Sequence, residues 1–226
     1  MTRLYLFDID GTLVRGDGAG RRAMEAAFEA VLGEARAMAG IRFDGATDRA
    51  IVRHGLELRG RVADDGLVSE LLAAYLSALD AEMVARQPFR ALPGAAPVAR
   101  ALAAHGVVGL GTGNIEPAAE RKVRAVGMGE LFRFGGYGSD AEVRSELLAI
   151  GAARGAALAG VALDRCEVVV IGDTERDIAA ARAIGARVVA VATGGTSAEV
   201  LAASEPDALI DSLAEVDAVV AMILGL

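Results

Sequence analysis

Short apolar runs that alternate with helix-length stretches constrain the fold of this chain more than any other feature of its sequence. The runs are predicted to be strands of a buried parallel sheet, at Arg3–Asp8, Val107–Leu110, Phe132–Gly135, Glu167–Gly172, Val188–Ala192 and Ala208–Ile210. Helices are predicted between them, at Ala96–His105, Pro117–Val126, Glu142–Arg154, Glu175–Ile184 and Ser212–Leu224. Strands that alternate with helices indicate an α/β fold with a doubly wound, mostly parallel sheet.

The segment between the first two runs breaks this alternation. It contains no strand pattern, and three helices are predicted in it, at Arg21–Leu32, at Asp48–Leu58 after an N-cap at Thr47, and at Leu67–Ala85. A linker at Pro88–Gly94 returns the chain to the sheet. The sequence therefore predicts an α/β core of residues 1–13 and 88–226. A small all-helical domain of residues 14–87 is predicted to be inserted after the first strand, where it can act as a lid over the sheet's carboxyl edge.

Composition limits the possible partners. Hydrophobic residues make up 54% of the 226 residues, yet no apolar stretch approaches the ~18 residues of a membrane span. The net charge of -8 argues against nucleic acid and anionic membranes, because both require a basic face. The single cysteine, Cys166, excludes an internal disulfide framework, and acidic residues follow Met1 too soon for a signal peptide. We therefore expect a cytoplasmic monomer or homodimer that acts on a small molecule.

The first polar motif follows the first predicted strand. Asp8 lies at the tip of that strand, and the turn at Gly11 and Thr12 brings Asp10 to the same opening. Two carboxylates so close together are not both easily ionised unless a cation lies between them. Asp8 could attack as a nucleophile while Asp10 carries a proton. An ordinary Asx turn before glycine is the structural alternative.

The second motif, at residues 110–114, also follows an apolar strand. Thr112 offers a hydroxyl group, and the flanking glycines allow backbone N–H groups such as that of Gly113 to approach an anion. The next helix begins near Glu116, so its N-terminus points to the same edge. This pattern indicates a phosphate-binding loop, and an ordinary strand-to-helix turn is the alternative.

The third motif, at residues 168–177, places Asp173 at a strand tip and Asp177 one helical turn further on. A carboxylate at the tip, supported by one on the helix, suits Mg²⁺, which prefers hard oxygen ligands and keeps several waters. Capping of the helix by Asp173, with Asp177 in its first turn, is the alternative.

Together the three motifs, DxDGT, TGN and GDTxxxD, resemble those of the haloacid dehalogenase superfamily of phosphohydrolases, in their order and at strand ends. The resemblance covers nearly the whole chain, including a helical cap after the first motif, and is strongest to the phosphoglycolate-phosphatase-like branch. It implies a Rossmann-like core, a phosphate ester as substrate and Mg²⁺ as cofactor.

The resemblance also implies a role for each matching residue. Asp8 would be the nucleophile and a metal ligand, and Asp10 would bind the metal through its backbone carbonyl and act as general acid and then base. The phosphoryl group would be held by the TGN segment, that is, by Thr112, Gly113 and Asn114. Asp173 would bind the metal directly, and Asp177 would do so through water or as a supporting residue.

The chain departs from the family pattern at its phosphate-binding cation. The family normally has a lysine between the second and third motifs, but the only lysine here is Lys122, directly after TGN. Arg144 lies at the usual place, and a guanidinium group can bind phosphate with two parallel hydrogen bonds. We predict that Arg144, rather than Lys122, binds the phosphate. In the inserted segment, Thr47 and Arg49 are predicted to contact the substrate.

Several activities are open to such a chain. Asp10 favours a phosphatase, because it can protonate the leaving alkoxide and activate water. A metal-independent 2-haloacid dehalogenase would lack this second aspartate, and a phosphonatase would need a cap lysine, which residues 14–87 do not contain. A sugar phosphomutase shares the core chemistry and is the main alternative. A catalytically inactive binding protein would be expected to lack a core carboxylate, and none is missing.

Overall fold

A six-stranded parallel sheet forms the centre of the protein, seen in a computed structural model that describes residues 1–226. Eight strands are present: β1 Thr2–Phe7, β2 Val14–Arg15, β3 Arg90–Ala91, β4 Gly106–Thr112, β5 Gly135–Tyr137, β6 Cys166–Gly172, β7 Arg187–Val191 and β8 Ala208–Ile210. The main sheet has the order β5-β4-β1-β6-β7-β8, so the chain begins in its interior and extends it on both sides.

Nine α-helices surround the sheet or lie in the segment inserted after β1. They are α1 Ala19–Leu32, α2 Asp48–Glu57, α3 Asp65–Arg86, α4 Ala95–Ala103, α5 Glu116–Ala125, α6 Arg144–Ala159, α7 Glu175–Ala183, α8 Ala198–Ala203 and α9 Val216–Gly225. None of them is both long and apolar enough to cross a membrane. The predicted fold class, a doubly wound α/β core with inserted helices, is confirmed, whereas the domain boundaries at 14 and 87 stay a prediction.

Burial on both faces explains why β1 reads as a continuous apolar run. Tyr5 and Phe7 belong to a core cluster of 42 buried residues that extends into the inserted helices. Leu4 and Leu6 point to the other face, where 14 buried residues, many of them from α6 and α7, form a second cluster. Side chains alternate along a strand, so only a strand covered on both sides is apolar at every position.

Local signals set the helix ends as the sequence indicates. The Thr47 side chain accepts a hydrogen bond from the N–H of Ala50 and caps α2, as predicted. At α7, Thr174 and Asp177 form a reciprocal capping box. Gly185 follows the end of α7 with φ of 70°, a left-handed conformation that favours glycine.

Three sequence-based expectations need correction. The strand predicted at Phe132–Gly135 lies instead at Gly135–Tyr137, because Phe132 and Phe134 fill the core from an irregular segment rather than extend a ladder. The helix predicted at Ala96–His105 ends at Ala103, and the strand predicted to begin at Val107 begins at Gly106. The short helix α8 was not predicted.

Two strands outside the main sheet join the ends of the inserted segment. Strands β2 and β3 pair antiparallel, with Val14 opposite Ala91 and Arg15 opposite Arg90. The prediction of a strand-free segment followed by a plain linker missed this pairing, because two residues are too few to show a period. Both connections to the inserted helices therefore run side by side.

Candidate active site

The three motifs meet at the carboxyl edge of three adjacent strands. Strand β1 lies between β4 and β6, with Phe7 opposite both Leu110 and Ile171. Asp8, Thr112 and Asp173 consequently emerge side by side, at the position where the chain begins to extend the sheet in both directions. They line a cavity of about 570 Å³ that the inserted segment covers.

Three buried carboxylates cluster at the base of this cavity. Oxygens of Asp8, Asp173 and Asp177 lie within 4.8 Å of one another. Burial raises the pKa of Asp173 well above its ordinary value, and the charge of Asp8 raises it further. Burial also raises the pKa of Asp8, which the charge of Arg144 only partly offsets. A cluster of this kind is stabilised by a cation.

The donor set fits a small divalent cation. Asp173 accepts a hydrogen bond from the Thr12 hydroxyl on Oδ1, at 3.2 Å. Its other oxygen lies against Gly11 and Gly194, where any Cβ atom would overlap it, so the two glycines leave room for this carboxylate alone. Hard carboxylate oxygens that converge without nitrogen or sulfur donors are the ligands that Mg²⁺ takes.

Arg144, the first residue of α6, is buried between two of these carboxylates. Its Nη2 lies 3.0 Å from Asp8 Oδ1 and 2.6 Å from Asp177 Oδ1. Nε donates a hydrogen bond to Asp177 at 2.7 Å, whereas Nη2 is buried with no aligned acceptor. Burial alone would lower the pKa of Arg144, but the charges of Asp177 and Asp8 raise it above its ordinary range. The guanidinium group is therefore a permanent cation that bridges Asp8 and Asp177.

Asp177 is fully engaged by the protein. Arg144 binds its Oδ1, while the Thr174 backbone N–H and hydroxyl donate to its Oδ2 at 3.1 Å and 2.6 Å. Gly172 allows this approach, since a Cβ there would overlap the Asp177 carboxyl group. The arrangement suits a residue that supports the cluster rather than one that offers a free oxygen to a metal.

Lys122 is bound to Asp10 and not to Asp8. Its Nζ donates to Asp10 Oδ2 at 2.7 Å and to Asn114 Oδ1 at 2.6 Å. The Asn114 amide in turn donates to Asp10 at 2.8 Å and to the Thr112 hydroxyl at 2.8 Å. The Asp10 side chain is 47% exposed and faces the cavity, whereas that of Lys122 is only 4% exposed. The two candidate cations therefore lie beside different aspartates: Arg144 beside Asp8 and Lys122 beside Asp10.

The sequence did not predict this contact of Lys122, although a signal was present. Lys122 belongs to the buried face of α5, together with Ala118, Ala119 and Val123. A lysine in an otherwise apolar helix face requires a partner, because an unpaired buried ammonium group is costly.

The inserted segment is fastened directly to the TGN loop. Asp48, at the start of α2, donates its N–H to the Gly113 carbonyl at 2.8 Å and accepts the Ile115 N–H on Oδ2 at 2.9 Å. The Arg144 Nη1 donates to the Gly45 carbonyl at 3.2 Å. Gly113 has to be glycine here, since a Cβ would overlap the Ala46 carbonyl. Sequence reasoning missed Asp48, which carries no motif.

Thr47 and Arg49 do not reach the cavity, so the structure does not bring these two residues to the site. Thr47 is buried, caps α2 and donates to the Glu142 carbonyl at 3.2 Å. Arg49 lies 3.4 Å from both Glu142 and Asp65 in ion pairs. The residues just before Thr47, 43–46, do line the cavity, as do residues 14–21. Both side chains therefore serve the attachment of α2, and we do not carry them forward as substrate contacts.

One cavity is lined by seven of the residues that the sequence predicted for the site, namely Asp8, Asp10, Thr112, Gly113, Asn114, Arg144 and Asp173. A buried carboxylate, a second carboxylate at the opening, a cation and an acidic cluster in one pocket make this a candidate active site.

Comparison with known proteins gives the family. The model of the haloacid dehalogenase-like hydrolases matches residues 2–185, so the chain belongs to that family and is a hydrolase, as its motifs predicted. Comparison of its sequence with curated proteins gives no significant match.

Solved structures share the fold at low sequence identity. A hydrolase from Pseudomonas syringae is 21% identical with a TM-score of 0.72, covering 95% of each chain. A predicted phosphoglycolate phosphatase from Haemophilus somnus is 17% identical, with a TM-score of 0.68 and coverage of 96% of this chain and 97% of that one. CbbY from Rhodobacter sphaeroides, solved in complex with phosphate, is 20% identical, with a TM-score of 0.71 and coverage of 95% and 96%.

Proposed function

We propose that this protein is a Mg²⁺-dependent phosphatase that hydrolyses a small phosphomonoester through an aspartyl-phosphate at Asp8. The observation that carries the proposal is the buried Arg144 beside Asp8, with Nη2 3.0 Å from the carboxylate. A phosphoryl group bound next to Asp8 would lie beside this permanent cation. Membership of the hydrolase family and the small polar cavity support the same reading.

Asp8 would attack phosphorus with one carboxylate oxygen while the bond from phosphorus to the leaving oxygen breaks. Arg144 would hold the phosphoryl group against Asp8, and Thr112 with the Gly113 N–H would bind its other oxygens. Fixed donors of this kind stabilise the charge of the transition state without reorganisation.

Asp10 would move the protons. Its carboxyl group faces the cavity, held by Lys122 and Asn114, and would give its proton to the leaving oxygen. The resulting carboxylate would then take a proton from water as that water attacks the aspartyl-phosphate, which releases phosphate and restores both aspartates.

Asp8 and Asp173 would hold the metal, and Asp177 would fix Arg144 and the start of α7 behind them. A bound Mg²⁺ would neutralise phosphate charge so that an anionic carboxylate can approach it. The substrate class is a small ester, such as phosphoglycolate or a sugar phosphate, and we expect the enzyme in the cytoplasm.

Isotope labelling of Asp8 tests the proposal. During turnover of p-nitrophenyl phosphate in H₂¹⁸O, water attacks phosphorus in the second step, so the label enters phosphate. Because water attacks phosphorus and not the carboxyl carbon, neither repeated turnover nor reversal of the second step introduces ¹⁸O into Asp8. The phosphoryl group on Asp8 has to be detected instead. A single-turnover trap of ³²P on the protein, lost in Asp8→Asn, is therefore the expected positive result. Turnover by Asp8→Asn, or no acid-stable protein-bound ³²P, would contradict it.

A matched variant separates chemistry from folding. Asp217→Asn changes an exposed aspartate in the first turn of α9 and should keep full activity and labelling. Transfer of ³²P to an added sugar phosphate, rather than to water, would identify the alternative, a sugar phosphomutase.

A further inference from the structure

Beside Asp10 the cavity is lined by a group of polar and aromatic side chains, of which the proposed chemistry uses only Lys122. Tyr75 of α3 and Asp48 of α2 are buried and line this end, together with Phe89 and Lys122. Gly20 lies between them, since a Cβ there would be 3.8 Å from Lys122 Nζ and 3.9 Å from the Tyr75 hydroxyl. We call Gly20, Asp48, Tyr75, Phe89 and Lys122 the inner subsite.

The inner subsite lies where the alcohol part of a phosphate ester would be. Lys122 Nζ is 2.7 Å from Asp10 Oδ2, and Asp10 would have to contact the leaving oxygen to protonate it. The atoms attached to that oxygen would therefore lie close to Lys122, because both contact the Asp10 carboxyl group. Whatever the leaving group carries must be compatible with the charges around it.

The single positive charge of the inner subsite is already matched. Lys122 donates to Asp10, and Asp48 adds a second carboxylate. When Asp10 carries its proton and Asp48 is ionised, Asp48 still balances Lys122, so the subsite then has no excess positive charge. Arg21, elsewhere on the cavity wall, lies outside the inner subsite and donates to the carbonyls of Met38 and Ile41 at 2.7 Å.

Tyr75 and Asp48 nevertheless keep unused hydrogen-bonding capacity. Asp48 lines the cavity, and its Oδ2 accepts the Ile115 N–H, whereas its Oδ1 accepts no hydrogen bond from the protein. Burial holds the pKa of Tyr75 well above 10.0, and the charges of Asp48 and Asp10 raise it further. The phenol therefore stays a neutral O–H that can both donate and accept.

We propose that the inner subsite selects a leaving group that bears an uncharged hydroxyl, and that Asp48 and Tyr75 are its specificity-determining residues. This rests on the proposed phosphatase function. A hydroxyl can donate to Asp48 and exchange hydrogen bonds with Tyr75. A carboxylate in the inner subsite would meet the charge of Asp48 while Lys122 is already paired with Asp10, and an ammonium group would lie against Lys122. Sites built to bind a hydroxyl discriminate strongly against analogues that leave their polar groups unpaired.

Four esters that differ at one group test this. They are 2-hydroxyethyl phosphate, phosphoglycolate, phosphoethanolamine and ethyl phosphate, compared by kcat/KM with saturating Mg²⁺, with p-nitrophenyl phosphate as the reference. We expect 2-hydroxyethyl phosphate to exceed each of the other three alkyl esters by about tenfold or more.

Two variants assign the selectivity to its residues. Tyr75→Phe should lower the ratio of 2-hydroxyethyl phosphate to ethyl phosphate by about 5- to 10-fold, the effect of one neutral hydrogen bond. Asp48→Asn keeps an oxygen for the Ile115 N–H but removes the charge, so the ratio of 2-hydroxyethyl phosphate to phosphoglycolate should fall by about fivefold or more. Tyr137→Phe and Asp217→Asn, outside the cavity, should leave both ratios unchanged.

The outcomes separate the two proposals. If none of the five esters is hydrolysed, the proposed function is wrong. If p-nitrophenyl phosphate is hydrolysed but phosphoglycolate or phosphoethanolamine matches 2-hydroxyethyl phosphate, only the inner subsite proposal fails. The inner subsite proposal also fails if Tyr75→Phe leaves the ratio of 2-hydroxyethyl phosphate to ethyl phosphate unchanged. This test does not depend on whether Asp48→Asn folds.

Discussion

Replacing Arg144 by alanine removes the only protein cation that contacts Asp8, the proposed nucleophile. The guanidinium Nη2 is 3.0 Å from Asp8, and unit charges at that distance interact by roughly 5 kcal/mol at an effective dielectric constant of about 20. Water that enters the vacated space recovers part of this. We therefore expect kcat/KM to fall ~10²–10³-fold, the range seen when one preorganised donor is lost.

The assay is hydrolysis of p-nitrophenyl phosphate at saturating Mg²⁺, with three variants side by side. Arg144→Lys should recover about tenfold of the loss, because an ammonium group restores the charge but cannot bridge Asp8 and Asp177 as a planar fork does. Arg154→Ala is the matched control: this arginine of the same helix forms a half-exposed ion pair with Asp140, which is typically worth little.

Folding has to be measured in parallel, since loss of one partner from a buried ion pair destabilises by about 3–5 kcal/mol. Chemical denaturation of each variant shows whether the activity measured belongs to folded protein. A folded Arg144→Ala enzyme within about threefold of the wild-type kcat/KM would refute the assigned role.

The remaining predictions concern Lys122 and the buried carboxylates. Lys122→Met, which keeps the apolar stem, should lower kcat/KM for alkyl phosphates ~10²-fold but for p-nitrophenyl phosphate far less, because a nitrophenolate leaves without a proton; equal losses would contradict its role beside Asp10. Activity should be lost in excess EDTA and return with Mg²⁺, and full turnover in EDTA would exclude the metal. Burial raises the pKa of Asp48 from 3.8 to about 6, so the folded protein binds this proton more tightly than the unfolded chain. The free energy of unfolding of the metal-free protein should therefore fall by about 3 kcal/mol as pH rises from 4 to above 6. Asp8 and Asp173 act in the same direction, and urea denaturation at pH 4 to 8 measures the sum; a stability that rises with pH would be the wrong sign.

The strand ends of the site could be predicted because each depends on local sequence. A run buried on both faces, followed by Asp8 or Asp173, fixes both the strand and the edge at which the carboxylate emerges. Arg144 was predicted from the family resemblance, because it lies between the second and third motifs, where the family normally has a lysine; it is the first residue of α6.

Contacts between the inserted helices and the core could not be predicted in this way. Asp48 and Tyr75 lie on α2 and α3, and their positions over the TGN loop depend on how those helices pack rather than on a local pattern. The same reason explains why Thr47 and Arg49 were predicted as substrate contacts although they lie outside the cavity. Arginines and a hydroxyl in a glycine-rich loop suit an anion, but the partners that these residues have, Glu142 and Asp65, are distant in sequence.

The hydrogen bonds of Asp48 with Gly113 and Ile115 couple the position of the inserted helices to the conformation of the TGN loop. Lifting residues 45–48 would remove two hydrogen bonds from the loop and one from Arg144. A ligand that orders this loop must then favour the closed position of the inserted helices. By reciprocity, closure of the helices must raise the affinity for that ligand by the same factor. The enzyme could therefore sense occupancy of its phosphate position through its own backbone, with no separate regulatory site.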